Sequence, residues 1–278
     1  MTADLLVVGD TAWDTVVLAG RWPERDRDFP AVIREGAGGQ GFNIAFWARR
    51  AGARVALVTQ LGHDARSREL LRLAGMHGME LLEPTLQDPL TRVVSLVAGD
   101  GQKALLTHPG PGPLALPKPS WSAGMLVLSG YLLARPGGVE RAGAWLDWAQ
   151  AHAVPAAADL SHPDVAGAFA ALSGALLWLF GNEAEWRAFL DAGGQSPAFR
   201  VVKRGPLGAD LVRREGTLSV LPATQSPAGD STGAGDCLMG TLLGMTALGW
   251  DLPAALQAAV DCAAQVAQAP GALPDLGD

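Results

Sequence analysis

Lysine is scarce in this chain. Only Lys103, Lys118 and Lys203 occur among its 21 basic residues, so any lysine near a glycine-rich loop is a candidate anion contact. No Gly-Lys pair exists, which excludes the phosphate loop of Walker-type nucleotidases, and His-Arg-Asp and Asp-Phe-Gly are both missing, which excludes a protein kinase. Two cysteines, Cys237 and Cys262, give no disulfide framework and suit a reducing compartment. Cys237 reads as a small packing residue, the alternative being a thiol of lowered pKa at a helix start. The histidines are scattered and the cysteines stand far from any H-x-x-x-H spacing, so no zinc site is indicated. A net charge of -7 withholds the basic surface that a general nucleic-acid binder needs. It still allows one nucleotide held by aligned N–H groups and a metal. The longest apolar stretch, Gly167 to Gly181, is too short and glycine-rich to span a bilayer. Met1 to Asp10 has an acidic residue and no basic n-region, so it does not read as a secretory signal. A cytoplasmic protein is expected, with neither nucleic acid nor membrane as partner.

What is present is a chain of 278 residues, 49% hydrophobic and 18% charged, long enough to bury a substantial core. Leu5–Gly9 is a continuous apolar run ending in glycine, as expected of a strand buried on both faces. Similar runs recur at Val55–Thr59, Met125–Leu128, Val154–Ala158, Leu176–Phe180 and Phe199–Val202. Helical patterns fall between many of them, at Asn43–Ala51, Ala65–His77, Gly138–His152 and Glu183–Leu190. Strands alternating with helices predict an α/β fold with a central, mostly parallel sheet and helices on both faces. Thr15–Glu35 and Thr91–Thr107 break the rhythm as short alternating strands, and are expected to form a small β-flap over the sheet edge. Pro109–Pro119 reads as a stiff loop. Two small-residue helices, Gly233–Leu248 and Pro253–Ala269, follow the strand pair Ala209–Arg213 and Thr217–Leu221. Residues 1–278 read as one domain, with flap strands inserted at about 15–35 and 91–107.

The segment most informative about chemistry is Asp230-Ser231-Thr232-Gly233-Ala234-Gly235-Asp236, directly ahead of a helix. Its glycines let backbone N–H groups face a concavity at a helix N-terminus, where the helix field also favours anions. Phosphate binding follows. The same field is expected to keep Asp236 ionised. A carboxylate there would repel phosphate unless it serves the reaction, for instance by accepting a proton from an attacking hydroxyl. The plainer alternative makes Asp230 a cap and Asp236 a helix-start residue.

A second glycine segment, Gly36 to Asn43, matches G-x-G-x-x-G at Gly36, Gly38 and Gly41, with Asp64 at 23 residues' distance. That keeps a dinucleotide site as an alternative. Against it, Leu5–Gly9 is the better first strand and leads to Asp10 with no glycine turn. A rival use is close approach of a polyhydroxylated substrate, with Asn43 and Asp14 bonding its hydroxyls. Asn43 as an N-cap and Asp14 as a solvated strand-end residue are the plainer readings.

Together these stretches resemble the ribokinase-like (PfkB-type) carbohydrate kinase family. The match rests on Val7–Asp14, Gly38–Leu70, Asn182–Glu185 (NEAE), Val201–Gly208 (VVKRGPLG) and Asp230–Gly240 (DSTGAGDCLMG), in the family's order. The resemblance implies a three-layer α/β/α fold with a β lid, and an ATP- and Mg²⁺-dependent kinase acting on a small sugar. It implies Asp236 as catalytic base and the N–H groups of Gly233, Ala234 and Gly235 as an anion hole. Asn182 and Glu185 would place Mg²⁺ through water. Lys203, Gly205 and Gly208 would lie on the nucleotide loop, and Asp14, Gly39, Gln40 and Asn43 in the substrate site. Asp230 and Thr232 would match positions that hold a monovalent cation such as K⁺ in some members.

Three departures accompany the match. Asp191–Arg200 leaves little room for a helix usual in the family, Gln40 replaces residues more often lysine or alanine, and His108–Pro113 alters the loop after the lid. Alternatives are a nucleoside or 2-keto-3-deoxy sugar acid as acceptor, with Arg92 pairing a carboxylate, or a silent sensor of the same fold. Exposed flap edges suggest a homodimer through the lid.

Overall fold

The computed structural model describes residues 2–82, 84–99, 102–118, 120–223, 232–268, 271 and 273. The chain opens with β1 (Thr2–Val8), β2 (Ala12–Ala19), β3 (Ala31–Gly38), α1 (Gln40–Arg50), β4 (Val55–Val58), β5 (Gln60–Leu61) and α2 (Ala65–Met76). It continues through β6 (Glu80–Leu81), β7 (Thr85–Leu86), β8 (Thr91–Ala98), β9 (Lys103–His108), β10 (Ser122–Leu128), α3 (Gly138–Ala151) and β11 (Ala156–Asp159). Next come α4 (Pro163–Ala166), β12 (Trp178–Asn182), α5 (Glu183–Asp191), β13 (Phe199–Lys203), β14 (Ala209–Arg213) and β15 (Gly216–Val220). The last helices are α6 (Ala234–Ala247) and α7 (Leu252–Val266).

The main sheet has nine strands in the order β15-β14-β13-β12-β11-β10-β1-β4-β6. From β13 to β6 neighbouring strands are parallel, and β14 and β15 return antiparallel at one edge. Side chains alternate between faces along each strand, so β1 feeds two cores at once. Leu5 and Val7 pack with Ile44 and Phe46 of α1 and with Leu242 and Leu243 of α6. Leu6 and Val8 pack on the other face with Trp145 of α3 and with Trp186 and Phe189 of α5. Continuous apolar runs are therefore required of these strands, which is why they were readable. The α/β/α expectation holds.

Two features of this frame place the site. Strand order reverses at β1, between β10 and β4, and in open α/β sheets ligands bind beyond the strand C-termini at such a switch point. Helices α1 and α6 also approach closely on one face. A Cβ on Gly240 would lie 2.5 Å from the Ile44 carbonyl oxygen, and one on Gly244 2.9 Å from that of Ala48. Glycine at both positions lets the two helix backbones touch.

The flap is a separate four-stranded sheet, β3-β2-β8-β9, with β2 and β8 parallel from Ala12↔Thr91 to Ala19↔Ala98. Its first half starts earlier and ends later than the expected 15–35, because β3 runs straight into Gly38 before α1. This assigns Gly36 and Gly38 to a flap strand rather than to a turn after β1. No helix separates α5 from β13, in line with the short spacing there.

Candidate active site

The parallel strands end in polar residues that converge on one crevice. Asp10 follows β1, Ser129 follows β10, Asp159 ends β11, Asn182 ends β12 and Lys203 ends β13. Helix α1 is seated directly on the end of β1, where a Cβ on Gly41 would lie 2.6 Å from the Gly9 carbonyl carbon. Gly39, at φ 92°, makes the turn into α1 and could not carry a side chain, since its Cβ would meet the Ala12 nitrogen at 2.7 Å.

Asp236 occupies the first turn of α6, after Gly233 in the left-handed region at φ 76°. The first intrahelical bond there runs from the Cys237 N–H to the Gly233 carbonyl at 2.8 Å. The amides of Gly233, Ala234 and Gly235 precede it and are left for other acceptors. Asn43 donates from Nδ2 to Asp236 Oδ2 at 2.8 Å. Asn43 is not a helix cap, because α1 starts three residues earlier at Gln40 and places Asn43 on the side facing α6. Its Oδ1 is buried without a hydrogen-bond partner among the described residues, as expected of an atom awaiting a hydroxyl donor.

The helix field that favours an ionised Asp236 is opposed by its surroundings. Burial pushes its carboxyl up to about 7, with the charges of Asp159 and Asp10 adding to the rise while the Asn43 hydrogen bond and Lys203 oppose it. Desolvation and the nearby carboxylates Asp159 and Asp10 work against the helix field at this half-buried position. A base titrating near neutrality transfers protons more effectively than an ordinary aspartate.

Lys203 sits beside this helix start: a Cβ on Gly235 would lie 3.4 Å from its Nζ. Nζ donates to Asp159 Oδ2 at 2.8 Å and to Oδ1 at 3.0 Å, with Glu185 Oε2 at 3.6 Å. Burial by itself would depress the lysine, but Asp159 and Glu185 outweigh it and hold the ammonium above its ordinary pKa. Asn182 and Glu185 form a capping box at the start of α5. The Asn182 N–H donates to Glu185 Oε2 at 2.8 Å, and Asn182 Nδ2 donates to Oε1 at 2.7 Å. Both residues are thus locked as the helix start while standing at the crevice.

The other expected site residues are placed as follows. Gln40 is buried, and its Oε1 accepts from the Ser129 and Ser161 hydroxyls at 2.6 and 2.7 Å and from the Gly130 N–H at 3.1 Å. Asp14 lies within β2, its carboxylate against Gly38, where a Cβ would stand 2.1 Å from Oδ2. Gly205 adopts φ 55° in open space. Gly208, at φ 76°, is required by packing because a Cβ there would lie 1.9 Å from the Val220 oxygen. Thr232 accepts a hydrogen bond from the Lys103 ammonium at the start of β9, so the flap reaches across to the glycine loop. Asp230 lies outside the described residues. Arg92 is in register with Trp13 and His108 and points to the face opposite Asp14, so it does not face the cleft as a carboxylate partner would. Burial pushes Cys237 up rather than lowering it as a helix start would.

Sequence reasoning missed Asp10, Ser129, Tyr131, Asp159 and Ser161. Tyr131 is 37% exposed, and burial together with the charges of Asp236, Asp10, Asp159 and Glu185 pushes its phenol up to about 12. Most of these share a signal. Each lies at, or within three residues of, the end of an apolar run, where a parallel strand meets the crevice.

With this geometry in view, comparisons with known proteins agree. Residues 2–276 match the model of the pfkB family carbohydrate kinases. Among solved structures, a ribokinase from Cryptococcus neoformans var. grubii serotype A in complex with ADP aligns at TM-score 0.77 and 21% identity, covering 97% of this chain and 95% of that one. An adenosine kinase from Sinorhizobium meliloti aligns at TM-score 0.83 and 21% identity, covering 98% and 96%. A microbiome-derived acarbose kinase, Mak1, aligns at TM-score 0.80 and 23% identity, covering 99% and 96%. No curated protein sequence matches. No helix among the described residues is long and apolar enough to cross a membrane. A family match over almost the whole chain, on a fold shared with these kinases, makes this protein a member of the pfkB family of carbohydrate kinases.

Proposed function

We propose that the protein transfers the γ-phosphoryl group of ATP to a hydroxyl of a small sugar, with Asp236 as general base. The observation carrying this is Asp236 itself, half-buried in the first turn of the helix and bonded by Asn43. The acceptor hydroxyl sits between Asn43 Oδ1, Asp14 and Asp236, over the backbone of Gly39. Asp236 takes the hydroxyl proton as the oxygen bonds to the γ-phosphorus and the bond to the β-phosphate oxygen breaks. ADP leaves. The amides of Gly233, Ala234 and Gly235, with Lys203 alongside, hold the charge spread over the migrating group. Gln40 acts through Ser129 and Ser161 by fixing the strand ends around the substrate. Asn182, Gly205 and Gly208 shape the nucleotide side of the crevice. The four-stranded flap serves as a lid on the single domain, with Lys103 and Thr232 as its latch.

Mg²⁺ fits the residues present. Asp159 and Glu185 are buried carboxylates beside Lys203 at the crevice, and would reach a bound ion through water. Such a donor set suits an ion that keeps its waters and binds mainly to substrate phosphates. When bound it neutralises phosphate charge. A monovalent cation at Thr232 fits less well, because the Lys103 ammonium already stands on that hydroxyl. A nucleoside acceptor is the second reading, favoured by the partly exposed Tyr131 ring, which offers a face for a base. ADP release measured over a panel of sugars, sugar acids and nucleosides separates these readings. ATP binding without turnover for every acceptor would reject the enzyme.

The outer face of the lid exposes Ile33, Val94 and Leu106 at 63%, 37% and 59%, and we infer that it pairs with a second copy of the chain. Light scattering should give a dimer for the native chain and a monomer for Leu106→Glu. A native monomer would reject the pairing.

A further inference from the structure

Strand register turns Arg92 away from the crevice, but its neighbour Thr91 faces the other way. Thr91 is in register with Ala12, two residues before Asp14 on β2, so side-chain alternation puts Thr91 on the Asp14 face of the lid. Thr91 is buried, and its Oγ1 accepts from the Gly110 N–H at 3.0 Å and from Arg135 Nη2 at 3.4 Å. Arg135 reaches it from the segment after β10, whose Ser129 donates to Asp10 Oδ1 at 3.2 Å. An arginine thus bridges the end of β10 and the root of the lid, on the lid face that carries Asp14.

This guanidinium is short of partners. The Thr91 contact is long for an N–H···O hydrogen bond. Nε is covered without a hydrogen-bond partner, and no carboxylate pairs with Arg135 among the described residues. By contrast, Arg54, Arg66, Arg72 and Arg204 each meet a carboxylate. A covered Nε also occurs in Arg141 and Arg200, but Arg141 donates to the Pro136 carbonyl and Arg200 lies 4.5 Å over the Trp186 ring. The stem of Arg135 is held in place: a Cβ on Gly112, at φ 75°, would lie 3.1 Å from its Cγ, so the loop after the lid packs on it. A partly buried, positioned cation with unspent donors suits an anion brought by a ligand. The guanidinium fork matches the paired oxygens of a carboxylate or phosphate.

We propose that Arg135 selects an acceptor bearing an anionic group, a sugar acid or a sugar phosphate, by holding that group at the root of the lid. Asp14, Asn43 and Asp236 then hold the hydroxyl to be phosphorylated. The crevice carboxylates Asp10, Asp159 and Asp236 repel an anionic acceptor in any other pose, so one cation at one edge sets a single orientation. Arg135 takes no part in moving the proton or the phosphoryl group. It acts on acceptor binding, and its loss is read in KM rather than in kcat.

An acceptor class rests on the kinase reading, so binding and turnover are measured separately. Aldonic acids and sugar phosphates of five and six carbons, each beside its neutral parent sugar, are titrated calorimetrically into the full chain and assayed for ADP release. The native protein should bind at least one anionic compound about ten- to a hundredfold more tightly than its parent, the range for a charge-assisted contact. The same preference should appear in kcat/KM, carried by KM. Whether acid or phosphate wins names the source of the anion. Arg135→Gln should cut the anionic-to-neutral ratio by about tenfold or more. Arg135→Lys should restore part of it for a phosphate and little for a carboxylate, because an ammonium lacks the fork. Keeping the charge, it also serves should the glutamine variant melt early. Neutral parents that bind the native protein as well as the anionic compounds overturn the proposal, as does an equal loss for both series in Arg135→Gln. Anion preference in titration without ADP release from any acceptor upholds the selection by Arg135 and rejects the kinase reading instead.

Discussion

The strand ends of the main sheet and the lid sheet form the two walls of the crevice, and they are built on opposite principles. At the strand ends and the helix starts beside them, Asp159, Glu185, Lys203 and Asp236 each meet a partner at hydrogen-bond or ion-pair distance, with all four at least half-buried. In the lid, Val32, Ile33, Leu105 and Leu106 are all more than half exposed, and contact with the glycine loop runs through the flexible side chain of Lys103. A wall of buried, mutually compensated charges holds its geometry because moving any one member uncovers another. A thin sheet without a core of its own moves at little cost. On the proposed reading, the chemistry belongs to the rigid wall, and access and acceptor choice to the lid.

This comparison breaks first at the base. Asp236→Asn should lower turnover by about two to four orders of magnitude, the range for loss of a positioned acid–base group, with little change in nucleotide affinity. Retained turnover in steady-state kinetics would remove Asp236 from its role. Next in size is the buried pair. Asp159→Asn leaves Lys203 with Glu185 alone and Lys203→Met uncovers two carboxylates; each should lower stability by about 3–5 kcal/mol, with the double variant recovering part of it. Denaturant unfolding of the three variants measures this, and simple additivity would mean that the two groups do not depend on each other.

The pH profile offers a finer probe. Only the ionised base accepts a proton, so turnover should rise with pH through about 7 and level off above it. A midpoint near 4 would show that burial does not govern the group. The same shift has a stability consequence. A carboxyl raised in the folded state favours the native fold fully below its unfolded pKa, and that contribution is lost as pH rises through about 7. The melting temperature of Asp236→Asn relative to the native protein should thus climb between pH 4 and pH 8. Smallest of all, Lys103→Ala removes an exposed contact worth at most about 1 kcal/mol. It should raise the acceptor KM by about fivefold or less and leave the melting temperature nearly unchanged. A large loss of stability would place the lid in the rigid class.

The fold was legible because strands buried on both faces must be apolar throughout, as Leu5–Val8 and Leu126–Leu128 are, and no tertiary context can relax that demand. The glycine loop was legible too, since Gly233 needs its left-handed turn and Gly235 its nearness to Lys203. Asp159 and Tyr131 were not. A polar residue after an apolar run looks like any loop start until the neighbouring strands bring several of them to one edge. The roles of known residues also changed on folding. Gln40 turned to the serines after β10 and β11, and Arg92 fell on the outer face through strand register that a one-residue slip would reverse.

Sequence by itself determined the layered architecture, the glycine-rich helix start with its unpaired amides, and the presence of a carboxylate beside them. These depend on patterns within a dozen residues, which local sterics and burial enforce. Only the tertiary structure decided the surroundings of that carboxylate and the partners of Lys203. Each of those depends on distances between residues tens to hundreds of positions apart, and electrostatic interactions act through distance in space rather than along the chain.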